Sequence, residues 1–484
     1  MEIITEEQLD MTIVLLDLEK AYDRVSWPFV LSTLRHMGIG PNFCEWVKTL
    51  YFHATASIMI NGRISPSFPL IRSVRQGCPL APLLFVMQMD VLLNKVRCNP
   101  YIVGLHTRGH LQFKGNALAD DLTIVSNNTA NSLRAVKETL VEYCALSEAQ
   151  VNWSKLMFFL PEQFEICVDF GMKKIPADSS ERFLGVQVSL QNCAETQDRI
   201  LVGRVEQRLL RWKTIYGLSL FGRALIVNAA VFSQLWYSGV VKPLGKKPER
   251  DIRTAASRYI WKPDAEENKA HMSKISWEKL TAPQEEGGLA VLDPVRQNKA
   301  LLGKWSIRVA LNAEDRSWVA LAEYILAKSW GLCRGEDVVM LAPSYQRRRP
   351  KSPFSQGVIQ VWKTLALASL KEPQTRDEVL RQPLFENQWI KKGDGSVFTI
   401  AGQGSFGRSW VERGVLQIED LWDEPQKGWR STSDLRRNLG RLWHIETRRD
   451  ELIQAIPEEW KQHLGDSPST GRWYRPVLSV GRDP

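Results

Sequence analysis

The sequence has little cysteine, and none of it is spaced as a metal site requires. Seven cysteines are scattered over 484 residues, and no two of them form a Cys-x-x-Cys pair. This spacing excludes a zinc knuckle and gives no disulfide framework. A chain with unpaired cysteines is typical of a reducing compartment, so we expect a nuclear or cytoplasmic protein.

Long apolar segments and a secretory leader are also missing. Residues 1–10 are acidic and polar, unlike the start of a signal peptide. The most apolar stretch, residues 220–241, contains Arg223 and Asn228, so it is better explained as a buried helix than as a membrane span. We therefore expect a protein that is not secreted and has no membrane partner.

Net charge is small for the size of the chain. The 63 Lys and Arg residues against 54 Asp and Glu give +9 and a pI near 9.1. A basic balance of this size favours a polyanionic partner such as nucleic acid only weakly. The length of 484 residues exceeds that of one ordinary domain, so two or three domains are expected.

Acidic residues at the ends of two apolar runs are the most informative feature present. Asp120 and Asp121 directly precede the run 122–125, and Asp17 ends the run 13–16. Three carboxylates at two strand ends can hold two divalent cations, the arrangement that drives phosphoryl transfer. Taken alone, the acid pair is better explained as a solvated turn, because Asp is favoured in turns.

Five segments, in order and with matching spacing, resemble the motifs of reverse transcriptases. The branch that they resemble is that of the non-LTR (LINE-type) retrotransposons, for which Arg-Gln-Gly-Cys-Pro-Leu at 75–80 is typical. The resemblance extends loosely over residues 10–465. The five segments are DLEKAYDRV (17–25), RQGCPLAPLLF (75–85), ADD (119–121), LSEAQVNWSK (146–155) and FLGV (183–186).

The resemblance implies an α+β fold built on a right-hand polymerase palm, an antiparallel sheet with helices, at residues 1–190. A helical thumb and connection would follow at 191–310. Residues 311–484 would form a helical C-terminal extension, with a basic linker near 346–353 and a loose tail at 465–484.

The same resemblance assigns the catalytic residues. Asp17 and Asp120 would bind both metal ions, with Asp121 and the backbone carbonyl of Leu18 as further ligands. The ions would be two Mg²⁺, with Mn²⁺ as an alternative. Lys155 would protonate the leaving pyrophosphate, although an exposed lysine in a loop explains it as well.

Nucleotide and primer contacts follow from the motifs in the same way. Tyr22 would block a ribose 2′-hydroxyl, or it is a core aromatic. Gln76 and Gly77 would contact the incoming nucleotide and the template base, or they form a bare turn. Leu184 and Gly185 would grip the primer.

Three arginines occupy one stripe of a predicted helix. Arg204, Arg208 and Arg211 follow i, i+4, i+7 spacing and could track the phosphates of a template–primer duplex. A solvated helix face explains them equally well. The expected partners are an RNA template, a DNA primer and deoxynucleoside triphosphates, and no stable protein partner is inferred.

Two departures from the family pattern bear on activity. Leu118 stands where the family usually has Tyr or Phe, and only 16 residues precede Asp17, where the fingers normally lie. We therefore expect an N-terminally truncated, impaired RNA-directed DNA polymerase lacking most of the fingers. The rival hypothesis is a catalytically silent nucleic-acid-binding remnant. A group II intron maturase is less favoured because of residues 286–289.

Overall fold

The chain divides into two compact units in the computed structural model, Met1–Cys193 and Ala194–Pro484. The linker prediction at 346–351 and the tail prediction at 466–484 fall outside the described residues. The structure describes residues 1–465 except 107–111, 192, 214, 216, 264–272, 312–316, 334–351, 365–371, 401 and 403.

The first unit is a sheet covered by helices. Its helices are α1 (Glu2–Glu6), α2 (Trp27–His36), α3 (Pro41–Tyr51), α4 (Ala81–Cys98) and α5 (Ala130–Ser147). Its strands are β1 (Met11–Leu16), β2 (Thr55–Ala56), β3 (Met59–Ile60), β4 (Arg63–Ile64), β5 (Phe68–Pro69), β6 (Leu105–His106), β7 (Gln112–Phe113), β8 (Gly115–Leu118), β9 (Asp121–Asn127), β10 (Met157–Phe159), β11 (Lys173–Ile175), β12 (Glu181–Phe183) and β13 (Val186–Val188).

Strand β1 is the middle strand of a five-stranded sheet with the order β11-β10-β1-β9-β8. All its residues are buried, which explains why the run reads as continuously apolar instead of alternating. It pairs antiparallel with β9 from Met11 opposite Asn127 to Leu16 opposite Leu122, and antiparallel with β10. Only β10 and β11 run parallel within this sheet.

Helices α2 to α5 bury their apolar faces together with residues of this sheet. Leu34, Phe85 and Leu140 come from three different helices and share one buried cluster with Val14 and Leu122. Helices α2, α3 and α4 each begin with a proline in the first turn, where the missing N–H removes no helical hydrogen bond.

The second unit is mainly helical. Its helices are α6 (Ala194–Lys213), α7 (Leu220–Ile226), α8 (Ser233–Gly239), α9 (Lys246–Trp261), α10 (Trp277–Thr281), α11 (Pro294–Leu311), α12 (Ser317–Trp330), α13 (Pro353–Thr364), α14 (Arg376–Leu380), α15 (Gly407–Val411), α16 (Thr432–Leu439), α17 (Ile445–Ala455) and α18 (Glu458–His463). A short pair of strands, β14 (Trp422–Asp423) and β15 (Gly428–Trp429), completes it.

The apolar stretch 220–241 forms α7 and α8 with a π-helical turn, Val227–Phe232, between them. Val227, Val231 and Phe232 are fully buried, as expected for a core helix. Across the residues that the structure describes, no helix is long and apolar enough to cross a bilayer.

The predicted α+β class is confirmed, with a largely antiparallel sheet first and helical segments after it. The domain boundaries at 190 and 310 stay predictions. Within the described part of the second unit, one buried cluster spans residues 201–291 and the largest spans 309–464.

The pairing of β1 with β9 generates a stability prediction. Leu122 is fully buried beside the acidic turn, whereas Leu118 on the same hairpin is 61% exposed. Leu122→Ala should destabilise the protein by about 2–5 kcal/mol, because it removes buried methyl groups and leaves a cavity. Leu118→Ala, the matched control, should be nearly neutral, and urea denaturation followed by circular dichroism measures both. Equal losses for the two variants would contradict the burial of this strand.

Candidate active site

The three predicted acids lie where β1 ends and β9 begins, and this end of the two strands is called the acidic edge of the sheet. Leu16 pairs with Leu122, so the next residues along each strand, Asp17 and Asp121, face each other across β1 and β9. Leu118 pairs with Asp121, which leaves a two-residue turn with Asp120 in its second position. The expected proximity of position 17 to the acid pair is therefore what strand register produces.

The turn that carries Asp120 is tight. Ala119, its first central residue, has φ 54, a left-handed value that two-residue hairpins need but that a residue with a Cβ atom adopts at some cost. Strained backbone of this kind is common where function fixes the local geometry.

Negative charge accumulates at this edge. Partial burial raises the pKa of the Asp121 carboxyl above its ordinary value, and the nearby charges of Asp120 and then Asp17 raise it further. A cation bound here would relieve that repulsion, and carboxylate oxygens are the ligands that Mg²⁺ prefers. Within the described ranges, however, no three His, Cys, Asp or Glu side chains are gathered closely enough to hold a metal ion.

Lys155 supplies a positive charge at the same edge. Its Nζ lies 3.2 Å from Oδ2 of Asp17, an ion pair in which the lysine side chain is 68% exposed and the aspartate 42%. Lys155 ends a short 3₁₀ turn, Trp153–Lys155. A pair this exposed contributes little to stability, so its value lies in where it puts the ammonium group.

Backbone hydrogen bonds fix that turn to the strand end. The Asn152 N–H donates to the Asp17 carbonyl over 3.0 Å, and the Glu19 N–H donates to the Gln150 carbonyl over 2.8 Å. Leu18 lies between these two bonds, which leave its own carbonyl unused. Leu18 itself is 5% exposed, and the ligand role of its carbonyl stays a prediction.

Tyr22 is half-buried and stacks on Phe85 of α4, with ring centroids 4.8 Å apart and planes 13° from parallel. Its backbone carbonyl accepts the Val74 N–H over 3.0 Å. The ring is thus a partly buried core contact, and its role against a ribose 2′-hydroxyl stays a prediction.

Gln76 and Gly77 occupy the exposed centre of a four-residue turn. The Cys78 N–H donates to the Arg75 carbonyl over 3.2 Å, and Gly77 has φ 87, as the third residue of a type II turn requires. A Cβ atom built at Gly77 would meet nothing within 4 Å, so this face of the turn has room for a ligand.

Leu184 and Gly185 form the turn of a separate two-stranded sheet, β12–β13. Their φ angles of 48 and 78 are those of a type I′ turn, in which both central residues have a left-handed conformation. The primer-grip role of this hairpin stays a prediction.

The three predicted arginines lie on α6 in the second unit. Val205 and Leu209 on the same helix are buried, whereas Arg208 and Arg211 are exposed and Arg204 is half-buried. Helix α6 is therefore amphipathic, and contacts of its arginines with phosphates stay a prediction.

Two residues near the site carry no motif signal. The hydroxyl of Tyr51 lies 3.3 Å from the Cys78 sulfur, and Trp27 Nε1 donates to the Ser73 carbonyl over 2.7 Å. The apolar face of α3 predicts that Tyr51 is buried, but helical spacing cannot reveal which group its hydroxyl meets.

Comparison with known proteins finds a family model that matches the first part of the chain. Residues 1–188 match the family model described as reverse transcriptase (RNA-dependent DNA polymerase). The transposon TX1 uncharacterized 149 kDa protein of Xenopus laevis is 26% identical over 486 residues, which cover 98% of this chain and 35% of that protein. The Pol polyprotein from the type-2 retrotransposable element R2DM of Drosophila melanogaster is 31% identical over 257 residues, covering 51% and 24%.

The chain thus spans about a third or less of the length of these relatives. Among solved structures, telomerase from Candida albicans in complex with a TWJ fragment of telomeric RNA is similar at 13% identity, with a TM-score of 0.30. The match covers 65% of this chain and 49% of the telomerase chain.

The charge at the acidic edge predicts a pH-dependent stability effect. Asp121→Asn should stabilise the metal-free protein at neutral pH, because it removes a repelled and partly buried charge. The folded-state pKa of Asp121 is raised, so its ionised form costs stability at neutral pH, and that cost disappears as the pH falls through the folded pKa.

The gain should therefore shrink between pH 7 and about pH 4, measured as the urea midpoint of each protein. Asp178→Asn, at an exposed turn of the same unit, is the control and should give no such trend. A gain for Asp121→Asn that grows on acidification would contradict the assignment.

Proposed function

We propose that this chain, in which residues 1–188 are a reverse transcriptase domain similar to those of non-LTR retrotransposons, is an RNA-directed DNA polymerase. The observation that carries the proposal is the register of β1 and β9, which brings Asp17 opposite Asp121 beside the turn at Asp120. A reverse transcriptase domain works on a nucleic-acid template, and the proposed partners here are an RNA template, a DNA primer and deoxynucleoside triphosphates.

Reverse transcriptases as a family use divalent metal ions. We assign two Mg²⁺ to this site, held by Asp17, Asp120, Asp121 and the Leu18 carbonyl. The donor set fits in its chemistry, because it is all oxygen, although its side chains are not gathered into a metal-holding cluster among the described residues. Burial, and then the charges of Asp120 and Asp17, raise the pKa of the Asp121 carboxyl, and a cation would offset that charge. Ions held there would activate the primer 3′-hydroxyl and stabilise charge on the transferred phosphoryl group.

Lys155 is the proposed general acid. Its ammonium group lies at the acidic edge, 3.2 Å from Asp17, on a turn whose backbone is bonded to the same aspartate. From this position Nζ can donate a proton to the leaving pyrophosphate oxygen once the substrate is bound. The exposure of the side chain leaves it able to move toward the substrate.

Tyr22 and the turn at Gln76 and Gly77 are the proposed nucleotide contacts. The stack on Phe85 fixes the plane of the Tyr22 ring, so the ring can exclude a 2′-hydroxyl sterically. Gly77 leaves space for close approach of a base or sugar to the backbone.

A second candidate function is nucleic-acid binding without catalysis. It is favoured first by the fact that the acids in the described part of the chain are not gathered into a metal-holding cluster. The exposed Leu118 beside them, where the family usually has an aromatic, points the same way.

Primer extension on poly(rA)/oligo(dT) with Mg²⁺ or Mn²⁺ separates the two functions. Asp17→Asn and Asp120→Asn should each lower incorporation at least roughly a hundredfold while the fold is retained, because charge stabilisation is usually the largest catalytic contribution. Asp178→Asn should keep wild-type activity. Full activity in a folded Asp120→Asn variant would refute the site, and duplex binding without incorporation by the wild type would establish the second function.

Sugar discrimination tests the role of Tyr22. Tyr22→Ala should raise the ratio of kcat/KM for UTP to that for dTTP by roughly tenfold or more, since one steric contact in a pocket discriminates by about that much. The ratio is internal to each variant, so a partial loss of folded protein cancels. An unchanged ratio would make Tyr22 a core aromatic only.

A further inference from the structure

The turn that presents Gln76 and Gly77 is anchored on its N-terminal side by the segment that follows β1. The Ser73 carbonyl accepts from Trp27 Nε1 over 2.7 Å, and the Val74 N–H donates to the Tyr22 carbonyl over 3.0 Å. Trp27 is 6% exposed, so this anchor is shielded from water. Such bonds fix where the chain enters the turn.

Its C-terminal side is held by a backbone bond, from the Ala81 N–H to the Cys78 carbonyl over 3.2 Å, and by one side chain. The Tyr51 hydroxyl, at the end of α3, lies 3.3 Å from Sγ of Cys78, the last residue of the turn. Tyr51 is 2% exposed and its ring packs near that of Trp27, with centroids 6.5 Å apart. The two anchors therefore belong to one buried group, while Gln76 and Gly77 between them are exposed.

The contact is accompanied by a pKa shift in each of the two groups. Burial, and then the contact with Cys78, raises the pKa of the Tyr51 hydroxyl, so the phenol keeps its proton. The contact with Tyr51 lowers the pKa of the Cys78 thiol, with help from the backbone N–H groups of Leu80 and Ala81. Either the phenol or the thiol can be the donor in this contact, and both arrangements join the same two atoms.

We propose that Tyr51 is a positioning residue for the incoming nucleotide: its hydroxyl holds the Cys78 sulfur and so fixes the turn on which Gln76 and Gly77 meet that nucleotide. The inference rests on the proposed function and adds a residue outside every motif. Tyr51 itself is buried and does not touch the substrate; it acts through the geometry of the turn. Loss of the hydroxyl leaves the turn in place but less ordered, so it weakens nucleotide binding more than it slows the chemical step.

The test is Tyr51→Phe, which removes one oxygen and keeps the ring. KM for dTTP in primer extension should rise roughly threefold to tenfold, the range expected for one hydrogen bond, with kcat within about twofold of wild type. Cys78→Ala should raise KM similarly. Because both substitutions break the same bond, KM for dTTP in the double variant should be no higher than in the more impaired of the two single variants.

Tyr143→Phe is the matched control. Tyr143 is another tyrosine of the first unit, 1% exposed, whose hydroxyl donates to the Gln88 carbonyl over 3.2 Å. The Tyr143→Phe variant loses the same oxygen from the same kind of environment, so the stability of the protein should fall but KM for dTTP should not change. An unchanged KM in Tyr51→Phe, an equal rise in Tyr143→Phe, or additive effects of Tyr51→Phe and Cys78→Ala would each overturn the inference.

A second measurement does not depend on turnover. Iodoacetamide labelling of Cys78, read by peptide mass spectrometry, is followed in the full chain at increasing dTTP with Mg²⁺ and template–primer. We expect dTTP to protect Cys78, and Tyr51→Phe to raise the half-protecting concentration by the same threefold to tenfold. Protection without incorporation would reject the polymerase proposal and keep the positioning inference; absence of protection in the wild type would overturn the inference.

Discussion

The antiparallel pairing of β1 with β9 is the constraint on which the candidate site depends. Asp17 follows the last residue of one strand and Asp121 begins the other, so their approach is set by the pairing of Leu16 with Leu122. Side chains alternate between the two faces of a sheet, so a slip of one residue would send one acid to the opposite face. The buried side chains of β1 make such a slip costly, because the register also decides which apolar groups enter the core.

Holding acids together in this way works against stability. The charges of Asp120 and Asp17 and the burial of Asp121 all favour the protonated form of its carboxyl, and Ala119 adopts a left-handed conformation to close the turn. Neither feature helps the fold on its own, and both concentrate at the tip of one hairpin. The fully buried Leu122 next to them supplies apolar contacts that offset part of this cost. The site is thus a strained tip on a well-packed strand pair, as is common where function rather than stability selects the residues.

Much of this arrangement could be predicted from sequence because it is local. An acid pair before an apolar run indicates a hairpin tip, and the turn at Gln76 and Gly77 follows from glycine chemistry. The contact of Lys155 with Asp17 joins residues 138 apart in the chain, and the resemblance to a family suggested a role for the lysine but not this ion pair. The partner of Tyr51 was beyond prediction for a physical reason: apolar periodicity specifies burial, whereas a buried hydroxyl bonds whichever group the tertiary packing brings near.

The residues that follow β1 connect the parts of the site through their backbone. The carbonyl of Asp17 accepts the N–H of Asn152, just before the turn that carries Lys155, and the carbonyl of Tyr22 accepts the N–H of Val74, just before the turn at Gln76 and Gly77. Since main-chain bonds do not depend on which side chain is present, this framework survives substitutions that would remove a side-chain contact. The Tyr51 hydroxyl is different, because it is a side-chain contact. It holds the C-terminal end of the turn at Gln76 and Gly77, which the residues after β1 do not reach. At that end the hydroxyl adds a side-chain contact to the backbone bond from the Ala81 N–H to the Cys78 carbonyl, whereas the acids are placed by the pairing of β1 with β9.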